Sequence, residues 1–189
     1  MTLSIFKRPK EETLLEGCRR GSNKAQRQLY EQYAPKMLTV CRRYVSDESE
    51  AEGVMVNGFL KVFEKIGQFN GEGNFEGWIR RIMVNESLMH LRKNKRASMM
   101  VNIDEAYSQA FDEEAISMLA AEDLLRLIQE LPEGYRQVFN LYAIEGYSHK
   151  EVAEQLGINE NTSKSQLSRA RAMLQKKVAC LQEKHIQAV

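Results

Sequence analysis

Residues that interrupt helices are scarce in this chain: 3 prolines and 11 glycines among 189 residues. Such a composition leaves room for long helices and few tight turns. Clean period-two alternation of polar and apolar residues is absent, which argues against half-buried strands. Cysteine is also scarce. Cys18, Cys41 and Cys180 are odd in number, far apart and form no C-x-x-C pair, so neither a disulfide framework nor a cysteine-built zinc site is expected, and reduced thiols fit the cytoplasm. No apolar run approaches the length of a membrane span, and the N-terminus lacks the apolar core of a secretion signal. The expectation is a soluble protein of the cell interior with no membrane insertion. His90, His149 and His185 stand apart, "SHKEV" (148–152) lacks the second histidine of a zincin motif, and no phosphate-cradling glycine loop occurs. No metal, cofactor or catalytic residue is therefore expected, and an enzyme is the least favoured class.

Hydrophobic residues make up 43% of the chain, enough for one packed domain or two small ones. The formal charge of +1 conceals a segregation. Residues 1–96 set 18 cations against 12 acids, residues 97–131 set 1 against 8, and residues 132–189 set 8 against 6. Two basic blocks separated by an acidic one suggest two modules that contact a polyanion, with a spacer between them.

The periodicity is helical throughout. Ser22 is placed to cap a helix carrying Leu29, Tyr33, Met37, Cys41 and Val45 on one stripe, with a kink or restart expected at Pro35. After Ser46 and Asp47 a second helix repeats the pattern with Met55, Phe59, Val62, Phe63 and Ile66. "GQFNGEGNF" (67–75) breaks it as an exposed loop, and a third long helix follows. That helix holds the chain's one tryptophan. Trp78, Arg81, Asn85 and Arg92 share a narrow stripe on it, while Val84, Leu88 and Leu91 form a separate apolar one. Helical spacing lapses from Ala97 to about Glu114, giving an acidic linker, and resumes with Leu124, Ile128 and Leu131. Pro132 suits the first turn of the next helix, which carries Val138, Leu141 and Tyr142. The expected fold class is all-α: two helical domains, 1–96 and 115–189, joined by an acidic linker, 97–114.

The most informative motif is "YSHKEVAEQLGINENTSKSQLSRARAML" (147–174). Ser148 and Glu151 have the spacing of a capping box, and Val152, Ala153 and Leu156 supply an inward face. Gly157 suits the left-handed residue that ends the helix, Ile158 the corner and Asn159 the next cap. This is the pattern of a DNA-binding helix-turn-helix. On its second helix Leu167, Ala170 and Leu174 point inward. Asn161, Thr162 and Lys164 suit phosphate contact at the helix N-terminus. Ser165, Ser168 and Arg169, with Arg171 at the flank, can reach base edges in the major groove.

Nearly the whole chain, from about Leu14 to Val178, resembles the extracytoplasmic-function group of bacterial sigma factors. "LYEQYAPKML", "GFLKVFEKIGQF", "FEGWIRRIMVN" and "LRKNKR" look like that family's first domain. "LPEGYRQVFNLYAIEGYSHKEVAEQLGINENTSKSQLSRARAML" looks like its second. The resemblance implies an alternative sigma factor whose first domain binds core RNA polymerase and opens and reads the minus-ten element as a single strand. Its second domain would read the minus-thirty-five element as duplex promoter DNA, and an anti-sigma factor is the implied regulator. Minus-ten contacts are expected from Asn70, Asn74, Phe75, Trp78, Arg80, Arg81, Asn85, Arg92 and Lys93. Polymerase contacts are expected from Glu52, Val56, Asn57, Lys61 and Lys65. The chain departs from the family at Gly53, Val56 and Asn57, where acidic and polar residues are usual. It departs again at Ser163, where a buried valine is usual, and at Gly77, where the wedge of two adjacent aromatics loses one member. The rival readings are a two-domain helix-turn-helix regulator that never engages polymerase and a helical adaptor that sequesters other proteins.

Overall fold

The computed structural model describes residues 9–97 and 121–187, with side-chain surroundings for 12–94 and 122–180. The expected linker, apart from Ala97, lies outside the described residues. Among those described, every regular element is helical, and the chain divides into two compact units.

The first unit contains α1 (Pro9–Arg19), α2 (Asn23–Arg42), α3 (Glu48–Lys65), a single 3-10 turn at Ile66–Gln68, and α4 (Phe75–Ala97). Local chemistry sets the starts. Ser22 Oγ accepts from the Ala25 N–H at 3.4 Å, and Asp47 Oδ1 accepts from the Glu50 N–H at 2.8 Å, so each cap satisfies an otherwise orphaned first-turn donor. The α2 stripe of Leu29, Tyr33, Met37 and Cys41 is buried, as are Val84, Leu88 and Leu91 of α4. Helix α3 crosses α4 at Gly58, where the missing side chain makes room for the Met83 thioether.

Two features differ from the sequence reading. Helix α1 lacks a long periodic stretch of its own, yet Leu14, Leu15 and Cys18 are buried and the helix packs on α2. At Pro35 neither a helix end nor a restart occurs, and α2 runs unbroken from Asn23 to Arg42. A proline inside a helix costs about 3 kcal/mol. Around it Tyr33, Met37, Val40 and Cys41 are all buried, at about 1.5–3 kcal/mol for each large side chain. Packing therefore outweighs the lost bond, and Glu31, whose carbonyl is left over, is on the exposed side with Pro35.

The second unit contains α5 (Ala121–Gln129), α6 (Glu133–Phe139), a π turn at Asn140–Ile144, α7 (His149–Leu156) and α8 (Glu160–Gln187). Leu127, Ile128, Leu131, Val138 and Leu141 form its core with Leu167, Ala170 and Leu174 of α8. Pro132 is the N-cap of α6 rather than a residue of its first turn, with an extended ψ of 143°. The Arg136 guanidinium donates to the Gln129 carbonyl at 2.7 Å and so ties the end of α5 to α6.

Candidate nucleic-acid interface

In the first unit the loop before α4 is shaped by its own asparagines. Asn70 Oδ1 accepts from the Glu72 N–H at 3.0 Å, and Asn70 Nδ2 donates to the Glu72 carboxylate at 3.0 Å. Asn74 Oδ1 accepts from the Glu76 N–H at 3.0 Å and caps α4. Gly71 and Gly73 take φ of 84° and 83°, a region where a Cβ is strained. Behind the loop, Arg19 of α1 donates through Nη2 to the Phe69 carbonyl at 2.8 Å. Reading the sequence did not single out Arg19, because 50 positions separate it from Phe69.

The aromatics at this corner form one cluster. Phe69 and Phe75 are both buried, with ring centroids 5.0 Å apart. Tyr33 meets Phe75 edge-on at 5.8 Å. Trp78 is half-buried, stacked on Phe75 at 5.7 Å and tilted against Phe69 at 5.6 Å. Phe75, expected at the surface of the loop, is instead 3% exposed. Burying a ring with three aromatic neighbours stabilises it more than leaving it in water. Trp78 joins both worlds: its ring is packed on this cluster, while Arg81 and Asn85 on its stripe are exposed. Farther along α4, Arg92 and Lys93 are exposed and Arg80 is half-buried.

The α3 surface is less charged than a reading by residue type suggests. Glu52, Asn57 and Lys65 are exposed, but Lys61 donates to Glu86 at 2.5 Å and is tied to α4. Val56 is 46% exposed, and one turn later Leu60 is 56% exposed. Leu60 was missed because it continues the apolar run around Phe59. Its spacing from Val56, off the buried stripe, is the signal that marks it.

In the second unit the helix-turn-helix is built as its spacing predicts. Ser148 and Glu151 form a reciprocal capping box, Gly157 is left-handed at φ 67°, and Ile158 is half-buried at the corner. Asn159 Oδ1 accepts from the Thr162 N–H at 2.7 Å and from its hydroxyl at 2.9 Å. The inner side of α8 is buried, while Asn161, Lys164, Ser165 and Ser168 are exposed and Thr162 is half-buried. Lys164 pairs with Glu160 at 2.7 Å one turn earlier. Arg169 and Arg171 are half-buried. Arg169 Nη1 donates to the Tyr135 hydroxyl at 3.3 Å, and the Arg171 guanidinium lies 5.9 Å from the Tyr142 ring centre.

Ser163, where an apolar residue was expected, is fully buried. Its hydroxyl is 2.9 Å from His149 Nδ1, and the His149 ring stacks on Tyr142 at 4.2 Å. Partial burial lowers the His149 pKa from the ordinary 6.5, with Lys164 and Arg171 adding to the effect and Glu160 opposing it. No cluster of three or more metal-ligating side chains occurs among the described residues. None of the described helices is long and apolar enough to cross a membrane.

The Sigma-70 region 2 family model matches residues 29–97, and the Sigma-70 region 4 model matches residues 121–174. The chain is 29% identical to the ECF RNA polymerase sigma-E factor of Haemophilus influenzae, over 89% of this chain and 95% of that one. It is 27% identical to the RNA polymerase sigma-H factor of Pseudomonas aeruginosa, over 88% of this chain and 92% of that one. Among solved structures, the fold is similar to the sigma factor RpoE crystallised with the anti-sigma factor NepR from Bartonella quintana. That likeness has a TM-score of 0.50 at 24% identity, covering 79% of this chain and 94% of that one. With both family regions matched in order, one on the unit with the aromatic corner and one on the helix-turn-helix unit, the chain belongs to the sigma-70 family as an alternative, extracytoplasmic-function sigma factor that directs transcription initiation.

Proposed function

We propose that the two units divide promoter recognition between them while α3 docks on core RNA polymerase. In the second unit α8 lies in the major groove of the minus-thirty-five duplex. The exposed Lys164, Ser165 and Ser168 face the DNA, and Arg169 is aimed by the Tyr135 hydroxyl. The observation that carries this reading is the clean division of α8 into a buried inner side and a polar outer side behind a capped N-terminus. Such an end offers backbone N–H groups to a phosphate.

In the first unit the minus-ten single strand passes over the loop at residues 70–74 and along the α4 stripe of Arg81, Asn85, Arg92 and Lys93. Asn70 commits both ends of its amide to the loop's shape, so base capture relies on the glycine backbone and on the Asn74 side-chain NH2, the Asn74 Oδ1 being bound to the Glu76 N–H. Trp78 offers the edge of the melted strand a surface braced by Phe75. On α3, Val56 and Leu60 give polymerase an apolar contact flanked by Glu52, Asn57 and Lys65. The protein works in the cytoplasm beside its polymerase, and an anti-sigma protein restrains it.

The test combines purified protein with core polymerase and a promoter library. Promoter-specific initiation and a co-eluting complex are expected. A chain that binds duplex DNA but neither associates with core nor starts transcripts would sink the proposal.

A further inference from the structure

Arg19 stands in the last turn of α1, a helix that is firmly seated on its neighbour. Leu14, Leu15 and Cys18 are buried. At Gly17 α1 comes so near α2 that a Cβ there would lie 2.7 Å from the Ala25 Cβ. The guanidinium therefore reaches out from a fixed point. Its Nη2 donates to the Phe69 carbonyl at 2.8 Å, a charge-assisted bond partly shielded from water.

That carbonyl is where a single bond can steer the segment that follows. It shares one rigid peptide plane with the Asn70 N–H, so fixing its direction sets the direction in which the loop leaves. The Phe69 N–H donates to the Ile66 carbonyl at 3.3 Å, and the Phe69 ring is buried against Phe75 and Trp78. The far end of the loop is held by the Asn74 cap and the buried Phe75. Between these ends Gly71 and Gly73 give the backbone its widest freedom. The Asn70–Glu72 bonds shape the loop from within. Because they move with it, they cannot set the angle at which it stands on the unit.

We propose that Arg19 is a positioning residue for minus-ten base capture, holding the loop at the angle at which an unstacked base fits. The inference rests on the reading of residues 70–74 as the loop that captures such a base. Without the Arg19 bond the loop spends a smaller fraction of its time in the competent arrangement, and the gain from capture falls by that fraction. Only promoters that depend on the captured base lose by this. Loss of a phosphate contact would weaken all promoters alike.

The experiment uses holoenzyme assembled from the full chain and core polymerase, on a selected promoter with each minus-ten position varied in turn. The wild type is compared with Arg19→Met, which keeps the alkyl stem and loses the donor, and with Glu16→Gln. Glu16 lies 3.7 Å from Arg19 Nη1, so its variant removes that ion pair and leaves the carbonyl bond. In Arg19→Met the ratio of transcripts from the preferred base to those from the others should fall roughly fivefold at the captured position, the contribution of one hydrogen bond. Ratios at the other minus-ten positions and co-elution with core should stay as in the wild type, and Glu16→Gln should keep every ratio. Unchanged ratios in Arg19→Met overturn the inference. So does a uniform loss across promoters with a shallower salt slope, or an equal loss in Glu16→Gln. Arg19 is exposed, so its replacement should leave the fold intact. Should circular dichroism show otherwise, Arg19→Gln, whose amide is shorter than the guanidinium arm, is judged by the same ratios. A wild type with no base preference in the minus-ten element overturns the underlying reading of the loop instead.

Discussion

Helix α3 carries two glycines five positions apart whose replacement by alanine should act in opposite directions. Gly53 is exposed, and a Cβ built there meets nothing within 4 Å. A Cβ at Gly58 would lie 2.3 Å from the Met83 sulfur and 3.0 Å from its methyl. Met83 is fully buried, so its thioether cannot swing into water to make room. Gly53→Ala removes backbone freedom from the unfolded chain and should stabilise the first unit by roughly 0.5–1 kcal/mol. Gly58→Ala gains the same propensity but overfills the α3–α4 crossing, which typically costs about 1–3 kcal/mol. The propensity gain is common to both variants, so their difference isolates the packing cost at about 1–3 kcal/mol. Trp78 is the only tryptophan in the chain and is packed in this same unit, so urea unfolding followed by its fluorescence reads the right transition. A Gly58→Ala protein as stable as Gly53→Ala would refute the claim that this crossing depends on a missing side chain.

Three further outcomes follow from single contacts. Ser148→Ala removes the hydroxyl's half of the capping box, leaving the backbone N–H of residue 148 to the Glu151 carboxylate, and should lower the stability of the second unit by about 0.5–2 kcal/mol, while Ser148→Asp should recover most of it in thermal melts. Lys164→Ala should weaken duplex binding and reduce the slope of log affinity against log salt by roughly 0.9; an unchanged slope would place Lys164 away from phosphate. Cys180 is exposed while Cys18 and Cys41 are buried, so a thiol reagent near neutral pH should label Cys180 promptly and the other two only on unfolding. Burial raises the Cys41 thiol from 9.0 to about 11. Its contribution to stability is therefore full below pH 9 and is lost as pH rises toward 11. Rapid labelling of Cys41 in the folded protein would contradict its burial.

The parts of this molecule that were legible in advance are those governed by neighbours in sequence. The caps at Ser22, Asp47, Ser148 and Asn159 each bond a backbone N–H three positions on, so residue type and spacing suffice to find them. The same holds for the left-handed Gly157 and the inward stripe of α8. What escaped depends on distant partners. Pro35 signals a break until the burial of the side chains around it is counted. Phe75 closes a polar loop and looks exposed, but Tyr33 and Phe69 enclose it. The Ser163 departure suggests a loosened helix until His149, 14 positions away, is found at its hydroxyl. Asn70 is the exception, for its partner Glu72 is only two positions away: the donors and acceptors that suit a base edge suit a local turn equally well.

The bond from Arg19 to the Phe69 carbonyl bears on how freely the loop can be transplanted. Residues 70–76 form a compact segment with their own internal hydrogen bonds, and this invites treating the loop as an interchangeable cassette for altering the base preference proposed for it. Its attachment, however, is borrowed from a helix 50 positions earlier in the sequence. A loop exchanged between relatives keeps its asparagine turns but loses its anchor unless the arginine at the end of α1 travels with it. The unit of exchange is therefore loop plus strut, two segments far apart in the sequence.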